Sequence, residues 1–209
     1  MILMTTKIKE LLAFMDERYP NVGCELKYNK DYELVIAVML SAQTTDTSVN
    51  KATEVLFHKY DSLESLAKAP LKDIEDIIHS IGLYKNKAKN LLGIANELIN
   101  KYGGVVPSDK DELQQLPGVG NKTAGVIRAE IFFIPDLPVD THILRISKRL
   151  KIVDETADAY KTETALKSLI PEDKWIKTHH QLIHFGRDFC TARKPQCENC
   201  KISRFCTKK

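Results

Sequence analysis

Apolar residues recur at helical spacing along most of the chain. In residues 6–19 they fall at Ile8, Leu11, Leu12 and Met15, a helical stripe that Thr5 or Thr6 can cap and Pro20 ends. Residues 31–42 are almost wholly apolar after their first turn, which predicts a helix buried on most sides. A strand over Leu34 to Leu40 competes for that run, but its length and the lack of partner strands elsewhere weigh against it. Further periodic stretches predict helices over 46–60, 63–69, 71–81, 86–102, 111–116, 120–130 and 140–150, with breaks at Gly82, Gly103-Gly104, Pro117-Gly118 and Pro135 to Pro138. No alternating segment of strand length remains, and there is no internal repeat or low-complexity segment. The expected class is all-α.

One break differs from an ordinary connection. Leu116-Pro117-Gly118-Val119-Gly120-Asn121-Lys122-Thr123-Ala124 joins a polar helix to an apolar one and sets a lysine at the mouth of the second, a helix-hairpin-helix. Glycines there allow positive φ and close backbone approach, so the free N–H groups of the second helix's first turn can point at a phosphate. The candidate contacts are Gly118, Val119, Gly120 and Thr123, and the matching ligand is a nucleic-acid backbone. An αα-hairpin whose glycines serve only as caps has the same local sequence.

Two short polar stretches interrupt apolar helices. Ser41-Ala42-Gln43-Thr44-Thr45-Asp46 carries side chains that can hydrogen-bond bases or sugars, and Ile81-Gly82-Leu83-Tyr84-Lys85 is a turn with an apolar tip. Either can be a plain helix connection, with Thr45 or Asp46 as N-cap. A protein that unstacks a duplex needs such plugs and wedges, here Gln43 and Leu83. Asp140, in Pro138-Val139-Asp140-Thr141-His142, stands where a helix N-cap belongs, a role that does not prevent its carboxylate from serving a site.

Composition sharpens this picture at the C-terminus. The formal charge of the 209 residues is only +3, yet residues 187–209 hold seven basic side chains against Asp188 and Glu198. No apolar run approaches the ~20 residues of a membrane span. The N-terminus lacks the long apolar stretch of a signal peptide, so a cytoplasmic protein is expected, nucleoid-associated if bacterial, with no membrane partner. Structural disulfides are then unexpected. Cys190, Cys197, Cys200 and Cys206 give C-x6-C-x2-C-x5-C, a compact four-thiolate cage that suits zinc or a cubic iron-sulfur cluster. Zinc sites of this ligand type more often show two C-x2-C knuckles, and this chain has one. Arg193 and Lys194, between the first two cysteines, would display positive charge on a rigid loop. Cys24 reads as an inert core cysteine, and His58, His79, His179, His180 and His184 as packing or surface residues.

Taken together, the hairpin with Lys122, V-D-T-H at 139–142, S-A-Q-T-T-D at 41–46, I-G-L-Y at 81–84 and the cysteine spacing resemble endonuclease III, the bifunctional DNA glycosylase and abasic-site lyase of base excision repair. The resemblance runs in order from about Leu34 to Cys206. It implies two all-α domains, residues 24–134 and residues 1–23 with 135–209, the second built around a [4Fe-4S] cluster held by the four cysteines. It further implies a monomer on damaged double-stranded DNA, with Lys122 and Asp140 catalytic and facing each other across a cleft. Gln43, Leu83, His142, Arg193, Lys194 and the hairpin backbone would be its DNA contacts. Oxidised pyrimidines are the substrates the resemblance implies. Asn121 stands where many members carry a basic residue, and Gly125 replaces a frequent Asn. Two alternatives stay open at this point. An adenine-mismatch glycosylase of the same superfamily lacks the lysine and carries an extra C-terminal domain, whereas this chain has Lys122 and ends three residues after Cys206. A non-catalytic iron-sulfur DNA-binding or redox-sensing module would leave Lys122 and Asp140 incidental.

Overall fold

A computed structural model of the protein describes residues 2–207, with side chains from residue 4 onward. The described residues are helical and contain no strand. In chain order the helices are α1 (Ile2–Arg18), α2 (Asp31–Leu40), α3 (Asp46–Lys59), α4 (Leu63–Ala67), α5 (Leu71–Ile77), α6 (Tyr84–Tyr102), α7 (Lys110–Gln115), α8 (Asn121–Phe132), α9 (Thr141–Arg149), α10 (Ala159–Leu169) and α11 (Trp175–His184), the last running on into a π-helical turn, Phe185–Phe189. They divide into two compact units, Glu25–Phe133 and Met1–Cys24 with Ile134–Lys209.

The middle unit is built on α2. Every residue from Tyr32 to Leu40 is buried, because α3, α6 and α8 cover the helix on different sides. The apolar run that a strand could have claimed is therefore a central helix, with each fully buried Leu or Ile contributing about 1.5–3 kcal/mol. The carboxylate of Glu33 accepts the Asn29 N–H at 2.7 Å and so serves an otherwise orphaned donor ahead of α2. Around this core α6 turns Ala88, Leu91, Ile94, Ala95 and Leu98 inward. Its C-terminus is closed by Gly103 at φ +61°, a left-handed cap that costs glycine nothing. Thr45 caps α3 by accepting the Ser48 N–H, and Asp109 caps α7 by accepting the N–H groups of Asp111 and Glu112.

In the terminal unit α1 joins its own stripe to the C-terminal third. Ile8, Leu11, Leu12, Phe14 and Met15 enter one core with Ile143, Ile146, Leu182, Phe185 and Phe189. Phe14 meets Phe185 and Phe189 edge-on at 5.9 and 6.0 Å. Lys7 is buried and donates from Nζ to the Leu150 and Lys151 carbonyls at 2.7 and 3.1 Å, a cationic cap on the C-terminus of α9. Cys24, expected inside the core, is only half-buried. His179 and His180 are buried, and His179 Nδ1 lies 2.9 Å from the Pro138 carbonyl, while His58 and His79 are exposed.

Candidate functional site

The hairpin is a tight turn pressed onto the middle unit's core. Leu116 and Val119 are both buried, and the Val119 N–H donates to the Leu116 carbonyl at 3.1 Å. Gly118, between them, sits at φ +77°. A Cβ on Gly118 would lie 2.5 Å from Asn90 Nδ2 and 3.1 Å from Met39 Cγ, so both backbone conformation and space demand glycine. Gly120 is different, with φ −95°, ψ −179° and nothing within 4 Å of a built Cβ. Its glycine leaves space open to solvent and is not a positive-φ requirement, as the sequence had suggested. Val119 buries its side chain in the core and gives its N–H to the turn.

Beyond the turn, α8 has no side-chain cap, and its first helical bond runs from the Ala124 N–H to the Gly120 carbonyl at 2.9 Å. Lys122 and Thr123 therefore lie in the turn whose N–H groups have no helical acceptor. The Lys122 side chain is exposed, while Ala124 to Ile127 bury their face of the helix. An amine is thus carried at the positive end of a helix dipole, beside open glycine backbone.

Gln43 and Leu83 belong to the same unit and share a conformation. Gln43 is exposed at φ 55°, and Leu83 is 64% exposed at φ 60° as the N-terminal boundary residue of α6. An exposed leucine in a left-handed conformation is unfavourable twice over.

In the terminal unit Asp140 caps α9, with Oδ1 accepting the Ile143 N–H at 2.8 Å. The residue is half-buried, so the carboxylate is oriented without being sealed off. His142 lies in the first turn of α9 with Nδ1 3.2 Å from an Arg145 amino nitrogen. A Cβ on Gly186 would approach His142 Cβ to 2.6 Å, so the imidazole packs against the backbone of the π-helical turn.

The four cysteines line one cavity together with Arg149, Phe185, Phe189 and Ile202. Among the described residues no group of three or more His, Cys, Asp or Glu is placed to hold a single metal ion. One tetrahedral zinc would draw its sulfurs to ~3.8 Å from each other. A cubic cluster gives each thiolate its own iron and sets the sulfurs farther apart. Two residues that the sequence did not single out brace the first ligand. Arg149 donates to Cys190 Sγ at 3.2 Å and to the Thr191 and Ala192 carbonyls at 2.8 and 2.9 Å, and Arg145 donates to the Gly186 and Cys190 carbonyls at 2.8 and 3.0 Å. Their spacing puts both on one face of α9, but their partners lie more than 40 residues downstream. Arg193 and Lys194 are exposed on the intervening loop.

A helix-hairpin-helix with a lysine at its mouth, joined in sequence to a four-cysteine terminal loop, defines a class of DNA-processing protein. Residues 36–172 match the family model described as HhH-GPD superfamily base excision DNA repair protein, and residues 190–206 match the iron-sulfur binding domain of endonuclease III. Endonuclease III of Bacillus subtilis (strain 168) is 43% identical over 205 residues, covering 98% of this chain and 94% of the relative. That of Escherichia coli (strain K12) is 38% identical over 197 residues, covering 94% and 93%. A solved endonuclease III trapped in a covalent intermediate with DNA superposes with a TM-score of 0.94 at 44% identity, covering 97% of this chain and 95% of that one. A thermostable thymine-DNA glycosylase superposes at 0.84 with 27% identity, covering 97% and 96%. The chain belongs to the endonuclease III family. Its cofactor is a [4Fe-4S] cluster.

Proposed function

We propose that the protein excises oxidised pyrimidines from double-stranded DNA and cleaves the strand at the resulting abasic site, with Lys122 as nucleophile. The observation that carries this reading is the exposed amine of Lys122 in the uncapped first turn of α8, beside the open backbone at Gly120. Backbone N–H groups there, with Thr123, hold a phosphate, and the same contact brings the amine to the sugar of a flipped nucleotide. Gln43 fills the vacated stack, Leu83 parts the opposite strand, and Gly118 keeps the turn that presents the backbone. His142, Arg193 and Lys194 add contacts to the DNA backbone. The free amine of Lys122 attacks the sugar C1′, and the base departs with the bonding electron pair and takes up a proton. The amine sheds a proton, and its lone pair forms the C1′=N bond as the C1′–O4′ ring bond breaks and O4′ takes up a proton, which opens the sugar ring and leaves a protonated imine. The imine acidifies C2′, a C2′ proton is removed, and the C3′–O bond breaks to release the 3′ phosphate. Asp140 opposes the positive charge that develops on the sugar and accepts the amine proton. Cys190, Cys197, Cys200 and Cys206 hold the cluster, which fixes the loop that carries Arg193 and Lys194. The covalent DNA complex of the related endonuclease III supports a nucleophile on the enzyme. Among the described residues no helix is long and apolar enough to cross a membrane. The reading takes the protein as a monomer of the cytoplasm.

Borohydride trapping on duplexes that contain thymine glycol tests the assignment. The parent protein gives a covalent protein–DNA adduct and a nicked strand. Lys122→Gln loses both and still binds the duplex. Asp140→Asn keeps fold and affinity, because Asn also caps helices well, and loses excision. Trapping that persists without Lys122 moves the nucleophile elsewhere. A protein that binds the duplex without nicking it is a DNA-binding module and not a glycosylase.

A further inference from the structure

One lysine inside the middle unit has no part in the chemistry above. Lys87, in the first turns of α6, is 5% exposed, and burial alone lowers its pKa from the ordinary lysine value. Its Nζ donates to the Leu40 carbonyl at 2.8 Å, the Ala42 carbonyl at 2.6 Å and Thr44 Oγ1 at 3.1 Å. Three donors meet three neutral oxygens, a fully used ammonium. Capping the C-terminus of α2 needs only the bond to Leu40. The other two fall on Ala42 and Thr44, the residues on either side of Gln43, which is itself held at φ 55°. The backbone of Lys87 serves the second tip, since its N–H donates to the Leu83 carbonyl at 3.1 Å and closes the first turn of α6 behind Leu83 at φ 60°. A buried, desolvated ammonium is a costly way to fill space that a methionine would fill. It is justified by what it holds.

We infer that Lys87 is a positioning residue that fixes Gln43 and Leu83 relative to each other, so that the two tips enter the duplex as one rigid pair. The inference rests on the reading of Gln43 and Leu83 as the plug and wedge. Its mechanism is entropic and geometric. A clamped plug needs no ordering when the base leaves the stack, whereas a free loop must be ordered at that moment. Lys87 touches neither substrate nor Lys122, so its effect is expected only where strands must be parted.

The test compares two substrates under single-turnover conditions in the cluster-loaded protein. On a duplex with thymine glycol, Lys87→Met, which keeps the stem and removes the ammonium, slows excision ~10- to 100-fold, the loss expected from misplacing a positioning group. On a single-stranded abasic oligonucleotide, where no partner strand has to be parted, borohydride trapping stays within about twofold of the parent because the amine is untouched. A 2-aminopurine opposite an abasic analogue in the duplex reports the same defect as lost fluorescence gain on binding. Gln43→Ala slows the duplex reaction as well, and Lys87→Met combined with Gln43→Ala is no slower than the worse single variant, because both remove one function. Should Lys87→Met not fold, Thr44→Val removes one acceptor instead and slows the duplex reaction in the same direction, with recovery in Thr44→Ser. Equal loss on both substrates reduces Lys87 to a structural residue and overturns the inference, as does full additivity with Gln43→Ala. If Gln43→Ala and Leu83→Ala leave the duplex rate unchanged, the reading of the tips falls and the inference with it. That outcome is distinguishable because it appears in variants that retain Lys87.

Discussion

A non-glycine residue in the left-handed region gives up about 1–2 kcal/mol, and the chain accepts this at Gln43, Leu83, Phe133 and Lys151. The hairpin avoids the cost by placing glycine at Gly118. Its two glycines, equivalent by sequence, should therefore respond differently to substitution. Gly118→Ala meets both the φ of +77° and the Asn90 amide at 2.5 Å, so it should lower stability by roughly 1–3 kcal/mol and weaken duplex binding with it. Gly120→Ala has neither obstacle, and its melting point should match the parent while DNA affinity falls, because the methyl stands where a phosphate would approach. Thermal melts paired with duplex binding isotherms check the contrast. Equal destabilisation by both variants would show that Gly120 is held by folding and not kept open for a ligand.

At the scale of elements, polar side chains decide how helices are fastened. Lys167 on α10 is paired with Asp136, which is 2% exposed, and with Glu163 one turn earlier at 2.6 Å. The two carboxylates raise the lysine's pKa even though burial, the largest single influence, acts against them. Removing the cation takes the ion-pair partner from a buried carboxylate, so Lys167→Met should destabilise the terminal unit by about 3–5 kcal/mol. Chemical denaturation measures this, and Asp136→Asn in the same background should recover part of the loss. No recovery would mean that the Lys167 ammonium over the Trp175 ring, 5.2 Å from its centroid, and not its pairing with Asp136, carries the contribution. Fastenings of this kind explain what could be read from the sequence. Helix positions from α1 to α9 followed from apolar spacing and from Pro and Gly breaks, to within a few residues at each end. The helix predicted over 71–81 stops at Ile77, and α6 begins at Tyr84 because Leu83 turns left-handed ahead of it. The sequence reading sets no limits for α10 and α11, although Asp158 caps α10, Pro171 follows it and Gly186 lies in the π-helical turn that continues α11. Of the candidate site, Lys122, Asp140 and the cysteines were visible because each sits in a motif defined by neighbours along the chain. Lys87, Arg145 and Arg149 were not, because their partners lie 40 or more residues away and a buried lysine resembles a surface one in sequence.

For the molecule as a whole, the cluster loop does more than hold a metal group. It is tied to α9 through Arg149 and through the Thr207 N–H, which donates to the Arg149 carbonyl at 2.8 Å, and to α1 through ion pairs of Lys201 with Glu17 and Arg204 with Glu10. The ion pairs are exposed and contribute little each, so the closure depends on the four thiolates. Ile202, 2% exposed, is carried into the terminal unit's core by the same loop. Losing one ligand should then loosen α1, α9 and α11 together and leave the middle unit, with its separate core around α2, largely intact. The single tryptophan makes this readable, because Trp175 belongs to the terminal unit and its indole N–H donates to the Ile170 carbonyl at 2.9 Å. In Cys197→Ser the tryptophan fluorescence transition should move to lower denaturant, while far-UV circular dichroism retains a second, later transition from the middle unit. Visible absorbance of the cluster, with about four iron and four sulfide per chain in the parent, should fall in the same preparation. A fluorescence transition that coincides with the parent's, in a variant without visible absorbance, would show that packing alone closes the terminal unit and that the cluster is not part of its fold.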